Sequence, residues 1–226
     1  YNLDDFPLCD PNMIGLVQRT IYGETNVKCV NIDYLEETPT TSDNRVWRIS
    51  SHPNKSVKEV WLKDTLLTLT THYTLNTDKN EITLIDNLEA VFGWDTISAS
   101  ESVYVLVEGK MSGTALIDNA SDIVKDILNQ VGFDDSELNL TSFASSKTAC
   151  TYKLAIALPD SVSGERPTAR EIIEKINKSC FGFLTNDNYF NVGYQIYQVG
   201  VSEYTIDIDR DSMGRTRNID TADMAS

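Results

Sequence analysis

The hydrophobic period of this 226-residue chain changes once, near residues 109–113, and that change constrains the fold more than any other feature. Before it, apolar residues alternate in short runs separated by turn residues, with strands spaced about 8–12 residues apart. After it, apolar residues recur at three- and four-residue intervals, the period of an α-helix packed on one face. The expected fold class is therefore α+β. A β-rich domain over residues 1–110, a small sandwich or barrel, precedes an α+β domain over 111–226 with two main helices and a hairpin.

In the first part the clearest strands lie in residues 56–110. Val57, Glu59 and Trp61 are expected on one face, Val60 and Leu62 on the other, with a turn at 63–65. Residues 73–85 read as two strands around the polar turn Asp78-Lys79-Asn80, and Val103 to Val107 as a buried strand ended by Gly109. Earlier, 27–32 and 45–49 read as strands, 16–17 and 21–22 as short ones, and 36–44 as an exposed loop containing Pro39.

In the second part residues 119–132 carry Ile123, Val124, Ile127, Leu128 and Val131 as one stripe. Asn119 is placed to cap that helix at its N-terminus and Gly132 to end it. Thr168 and Glu171 form a capping box opening a second helix through Ile172, Ile173 and Ile176 to about Cys180, with Gly182 as its end. Residues 152–158 read as a strand and 160–167 as a loop. Segments 181–185 and 189–197 flank Asn186-Asp187-Asn188, which predicts a hairpin. A further strand is expected at 205–208 and a polar tail from about residue 212.

Charge excludes one class of partner. Nineteen basic residues against thirty-four acidic give a net charge of −15. The densest basic segment is Arg210, Arg215 and Arg217, so the clustered cations that bind phosphate backbones are missing and no nucleic-acid partner is expected. No apolar run approaches the length of a membrane span. Cys9, Cys29, Cys150 and Cys180 are separated by 20, 121 and 30 residues, without a CxxC pair, and read as reduced thiols in or near the core, the even count leaving two disulfides open for a secreted protein. The chain begins at Tyr1 and ends on a polar segment, and both ends are expected to be cuts in a longer chain.

No motif names a reaction. His52 and His72 are the only histidines, and neither lies beside a nucleophile elbow. Among thirty-four carboxylates no pair is marked out for glycoside hydrolysis. Residues 207–214 resemble the start of a calcium loop, but glycine falls at loop position 8 rather than 6 and Asn218 stands at position 12, so alternating strand residues explain the letters equally well. Sequons at Asn54, Asn119, Asn139 and Asn177 read as chance matches. No enzyme activity, cofactor or metal is expected. Trp47, Trp61, Trp94 and the tyrosines read chiefly as core or interface; the best candidate binding face is Tyr189, Phe190, Tyr194 and Tyr197.

The order of elements carries one resemblance. Helix 120–128, the short stretch 138–143, strand 152–158, helix 168–176, Ser179-Cys180-Phe181-Gly182-Phe183-Leu184 and a hairpin through 186–190 follow one another. That succession resembles a segment of tail-associated structural proteins of bacteriophages and prophages. Ile21-Tyr22-Gly23 and residues 51–60 resemble elements of the same family earlier in the chain, whereas Phe181 stands where the family commonly has a small residue. The resemblance implies a non-catalytic virion component of the tail, tail tip or baseplate, made in the bacterial cytoplasm. Its partners would be other tail proteins and copies of itself. The alternative is an extracellular module of a host-recognition protein that binds glycan or peptide through the aromatic face.

Overall fold

A computed structural model describes residues 4–9, 11–14, 18–34, 45–85, 88–93, 97, 101–158 and 167–197. The predicted strands at 16–17 and 205–208, the loop over 36–44, Trp94, most of the 160–167 loop, the calcium-like segment and the polar tail lie outside them.

The first half holds β1 (Ile21–Tyr22), β2 (Glu24–Lys28), β3 (Val30–Asn31), β4 (Val46–Arg48), β5 (Asn54–Leu62), β6 (Thr65–Leu67), β7 (Tyr73–Asn76) and β8 (Glu81–Leu84). There follow the short helix α1 (Leu88–Phe92), β9 (Val103–Ser112) and β10 (Ala115–Leu116). Two antiparallel sheets result. One has the order β10-β9-β5-β6, with β2 on the edge of β9 opposite β5; the other has the order β3-β4-β8-β7. Val27, Val60, Leu62, Val103, Val105 and Val107 of the first sheet share a core with Trp47, Tyr73, Ile82 and Leu84 of the second. Alternating valines with no polar partner for their side chains can only be satisfied by that burial.

Two strand readings change. The pairing of β5 with β9 shifts between Val57 and Glu59, a β-bulge at Lys58. The extra residue turns Val57 to the core side with Val60, while Glu59 and Trp61 keep the outer face. Strand β9 does not stop at Gly109 but continues to Ser112.

The second half holds α2 (Ala120–Gln130), α3 (Leu140–Ala149), β11 (Ile156–Ala157), α4 (Ala169–Cys180), β12 (Gly182–Asn186) and β13 (Val192–Ile196). Asn119 caps α2 by accepting from the Ser121 N–H, and its amide donates to the Cys150 carbonyl at 2.8 Å, so one side chain ties α2 to the end of α3. Ile123, Val124, Ile127 and Leu128 are buried; Val131, the fifth residue of the stripe, sits past the last turn and is exposed. Helix α4 opens on the Thr168–Glu171 capping box as expected. Of the predicted strand at 152–158, only β11 pairs, with β1.

Helix α4 ends differently from expectation. The left-handed residue is Phe181, at φ 55°, not Gly182. Gly182 is required for another reason: a Cβ there would lie 2.1 Å from the phenol oxygen of Tyr194.

The two halves meet at β1. Ile21 packs in the first core and its neighbour Tyr22 in the second. Gly23, at φ 68°, lets the chain pass against the Leu154 carbonyl, where a Cβ would come within 2.1 Å. Tyr22 donates to Asp126 at 2.6 Å, Lys110 bridges Asp126 at 2.8 Å, and Gln130 donates to the Tyr22 oxygen at 2.9 Å. All four cysteines are buried thiols; burial pushes that of Cys29 up to about 12.

Candidate interaction surfaces

The hairpin β12–β13 is the element that the sequence marked for binding. Its strands pair from Gly182↔Ile196 to Asn186↔Val192. Asp187 builds the turn: its carboxylate accepts from the backbone N–H of Tyr189 (2.8 Å) and of Asn191 (3.0 Å) and from the Asn139 amide (3.2 Å). Burial acts to raise the Asp187 pKa, but those donors outweigh it and hold the carboxyl below its usual range. The left-handed position falls on Phe190, at φ 63°, rather than on an Asn or Asp of 186–188. The result is a rigid turn that lifts Tyr189 and Phe190 into solvent, at 84% and 87% exposure.

The four candidate aromatics do not form one face. Tyr197 is 65% exposed and lies with its ring centroid 5.1 Å from that of Phe183. Tyr194 is fully buried, because the strand period turns it to the opposite side. It stacks on Phe143 at 5.9 Å, and its phenol oxygen lies 3.2 Å from the Cys180 thiol. Burial raises its pKa. Tyr194 is therefore a core residue, and the exposed set is Phe181, Tyr189, Phe190 and Tyr197.

The outer edge of β13 is closed by α3. Ser142 donates to the Tyr194 carbonyl (2.6 Å) and accepts from the Tyr194 N–H (3.0 Å), Ser146 donates to the same carbonyl (2.5 Å), and the Asn139 N–H donates to the Val192 carbonyl (2.8 Å). Hydroxyls here replace a third strand. Among the described residues, β12 pairs only with β13.

A second surface lies on the outer face of the larger sheet. Cross-strand pairing places Leu66, Trp61 and Tyr104 side by side, with Glu59 and Asn26 both opposite Leu106 in the next row. Trp61 and Tyr104 are exposed, whereas Trp47 is wholly in the core. The Trp61 indole donates to Glu59 at 3.0 Å, and Lys63 bridges Glu101 at 3.1 Å. Together with Asp64 and Ser102 these residues line a cleft of about 600 Å³. A sequence signal existed: Glu59 and Trp61 share one face of the strand, while Val60 and Leu62 on the opposite face are core.

The histidines hold backbone. His52 Nε2 accepts from the Ile21 N–H at 2.8 Å, with Nδ1 3.0 Å from the Pro53 carbonyl, an arrangement that fits a neutral ring protonated on Nδ1. Burial lowers its pKa. His72 Nδ1 accepts from the Thr68 N–H at 2.9 Å. Asn139 caps α3 and Asn177 lies within α4. Among the described residues there is no cluster of three or more His, Cys, Asp or Glu side chains able to hold a metal, and no helix long and apolar enough to cross a membrane. No protein-family model, curated protein or solved structure matches the chain.

Proposed function

We propose that this chain is a non-catalytic structural component of a phage or prophage tail, acting in the virion by protein–protein assembly with other tail proteins and with further copies of itself. The observation that carries the proposal is the hairpin. Phe181, Tyr189, Phe190 and Tyr197 stand 65–87% exposed on one small, braced element. Large aromatics are concentrated at the buried centres of interfaces, because each supplies much apolar area with few rotatable bonds. Leaving four of them in water has no folding benefit and fits a surface that is covered on assembly. The pairing of β12 only with β13 adds backbone donors and acceptors that a partner strand can meet. The succession of α2, α4 and the hairpin is also the part of the chain on which the resemblance to tail proteins rests.

The test is particle composition. Tail particles purified from the source genome and analysed by quantitative mass spectrometry are expected to contain the chain in defined stoichiometry with the other tail proteins. The double variant Tyr189→Ser, Phe190→Ser is expected to fold and to be lost from the particles. Absence of the wild-type chain from purified particles would overturn the proposal.

A further inference from the structure

We infer that the Trp61–Tyr104 cleft on the outer face of the larger sheet is a binding site for a neutral saccharide. Nothing in the assembly reading uses this surface, and the inference rests on neither the hairpin nor the tail assignment.

Three observations lead to it. First, Trp61 and Tyr104 are directly opposite one another on adjacent antiparallel strands. Such neighbours have Cβ atoms about 4.5–5.5 Å apart, so both rings rise from one small patch of the sheet. Both are exposed, while their strand neighbours Val60, Leu62, Val103 and Val105 are fully buried, so the patch is anchored directly on the core. Second, the indole is oriented from the same face: its N–H is held by Glu59 at 3.0 Å. Third, the charged groups lining the cleft are mostly acidic, which disfavours an anion. Glu59 accepts from the indole and Glu101 from Lys63. Glu59, Asp64 and Glu101 outnumber Lys63, so an anionic ligand would be repelled.

An uncharged polyhydroxylated ring meets no such repulsion. Its C–H face covers the apolar aromatic surface, and its hydroxyls donate to the carboxylate lone pairs that Trp61 and Lys63 leave open. Asn26 and Ser102, at the cleft wall, can both donate and accept, which suits hydroxyls that do the same. A volume of about 600 Å³ lies within the range of small-ligand sites. Glu59 and Glu101 are each engaged, by the indole N–H and by Lys63, in a contact that orients the cleft.

The experiment uses the full chain and three neutral trisaccharides (maltotriose, cellotriose and the β-1,4-linked N-acetylglucosamine trimer), with 3′-sialyllactose as the anionic comparison. Saturation-transfer NMR reports contact, and titration up to ~10 mM covers the millimolar affinities expected of an open site. At least one neutral sugar is expected to bind, with transfer strongest to its ring C–H protons. Trp61→Ala and Tyr104→Ala should each weaken it about tenfold, the effect of losing one stacked ring, while Trp61→Phe, which keeps a ring, should retain most of the affinity. Both side chains are on the surface, so unchanged circular dichroism is expected, and the two variants check one another. Binding of none of the neutral sugars, undiminished binding in both alanine variants, or equal binding of 3′-sialyllactose would each overturn the inference. Loss of self-association in Trp61→Ala without any sugar binding would assign the cleft to a protein interface instead.

Discussion

Replacing Gly182 by alanine isolates the packing of α4 against the hairpin. The added Cβ would sit 2.1 Å from the Tyr194 oxygen, 2.6 Å from the ring carbon that bears it and 3.2 Å from Asn177 Oδ1. Tyr194 has little room to yield: it is fully buried, stacked on Phe143 and in contact with the Cys180 thiol. Overpacking of this kind costs roughly 1–3 kcal/mol. The φ at Gly182 is not in the left-handed region, so alanine also gains about 0.4–1 kcal/mol by restricting the unfolded chain. The net expectation is a loss of roughly 1–2 kcal/mol, read as a lower urea midpoint at unchanged slope. Adding Tyr194→Phe removes the 2.1 Å contact but not the 2.6 Å one, so the pair should show a coupling of about 0.5–1 kcal/mol. The adjacent substitution Phe181→Gly should act in the opposite direction. Phe181 holds a left-handed φ of 55° at 65% exposure, and relieving roughly 1–2 kcal/mol of that strain outweighs glycine's extra chain freedom. A neutral or stabilising Gly182→Ala, or the same sign at both positions, would refute this account of the helix end.

Other outcomes follow from single contacts. Thr168→Ala removes the cap of α4 and should cost about 1 kcal/mol in the same denaturation assay. Leu128→Ala, on the buried stripe of α2, should cost about 2–4 kcal/mol, and a change below ~0.5 kcal/mol would show that the stripe is not core. Asp187→Ala removes the acceptor of the turn and should raise amide exchange at Tyr189 and Asn191 without lowering exchange protection in α2. His52 gives a pH signature. Its folded pKa lies below 6.5, so its contribution to stability is full above that value and is lost as pH falls from 6.5 toward the folded pKa. His52→Gln should flatten that part of the stability–pH curve; an unchanged curve would show that the ring does not titrate with unfolding.

What the sequence made legible were the elements whose signals are local. The caps at Asn119 and Thr168, the stripe of α2 and the strands β7 and β8 around residues 77–80 all depend on neighbours within a few positions. Helix α3 was illegible as a helix because Leu140–Ala149 carries no apolar stripe; only Phe143 and Ser146 are buried. It is held by hydroxyls that meet backbone far away in sequence, Ser121 to the Phe143 carbonyl and Ser142 and Ser146 to that of Tyr194. The same distance effect misplaced Tyr194. Tyr194 and Tyr197, three positions apart, face opposite sides of the strand, and only the packing of α3 and α4 decides which side is inward. The bulge at Lys58 likewise reverses Val57 against a strict two-residue alternation, which no local turn residue announces.

The most direct test of the assembly proposal is hydroxyl-radical footprinting of the free chain and of the chain within purified tail particles, read at Phe181, Tyr189, Phe190 and Tyr197. Buried Tyr194 serves as the internal reference, slow to react in both states. If the hairpin is the assembly surface, Tyr189 and Phe190 oxidise fast in the free chain and are protected in the particle. Equal oxidation of the four exposed aromatics in both states would contradict it.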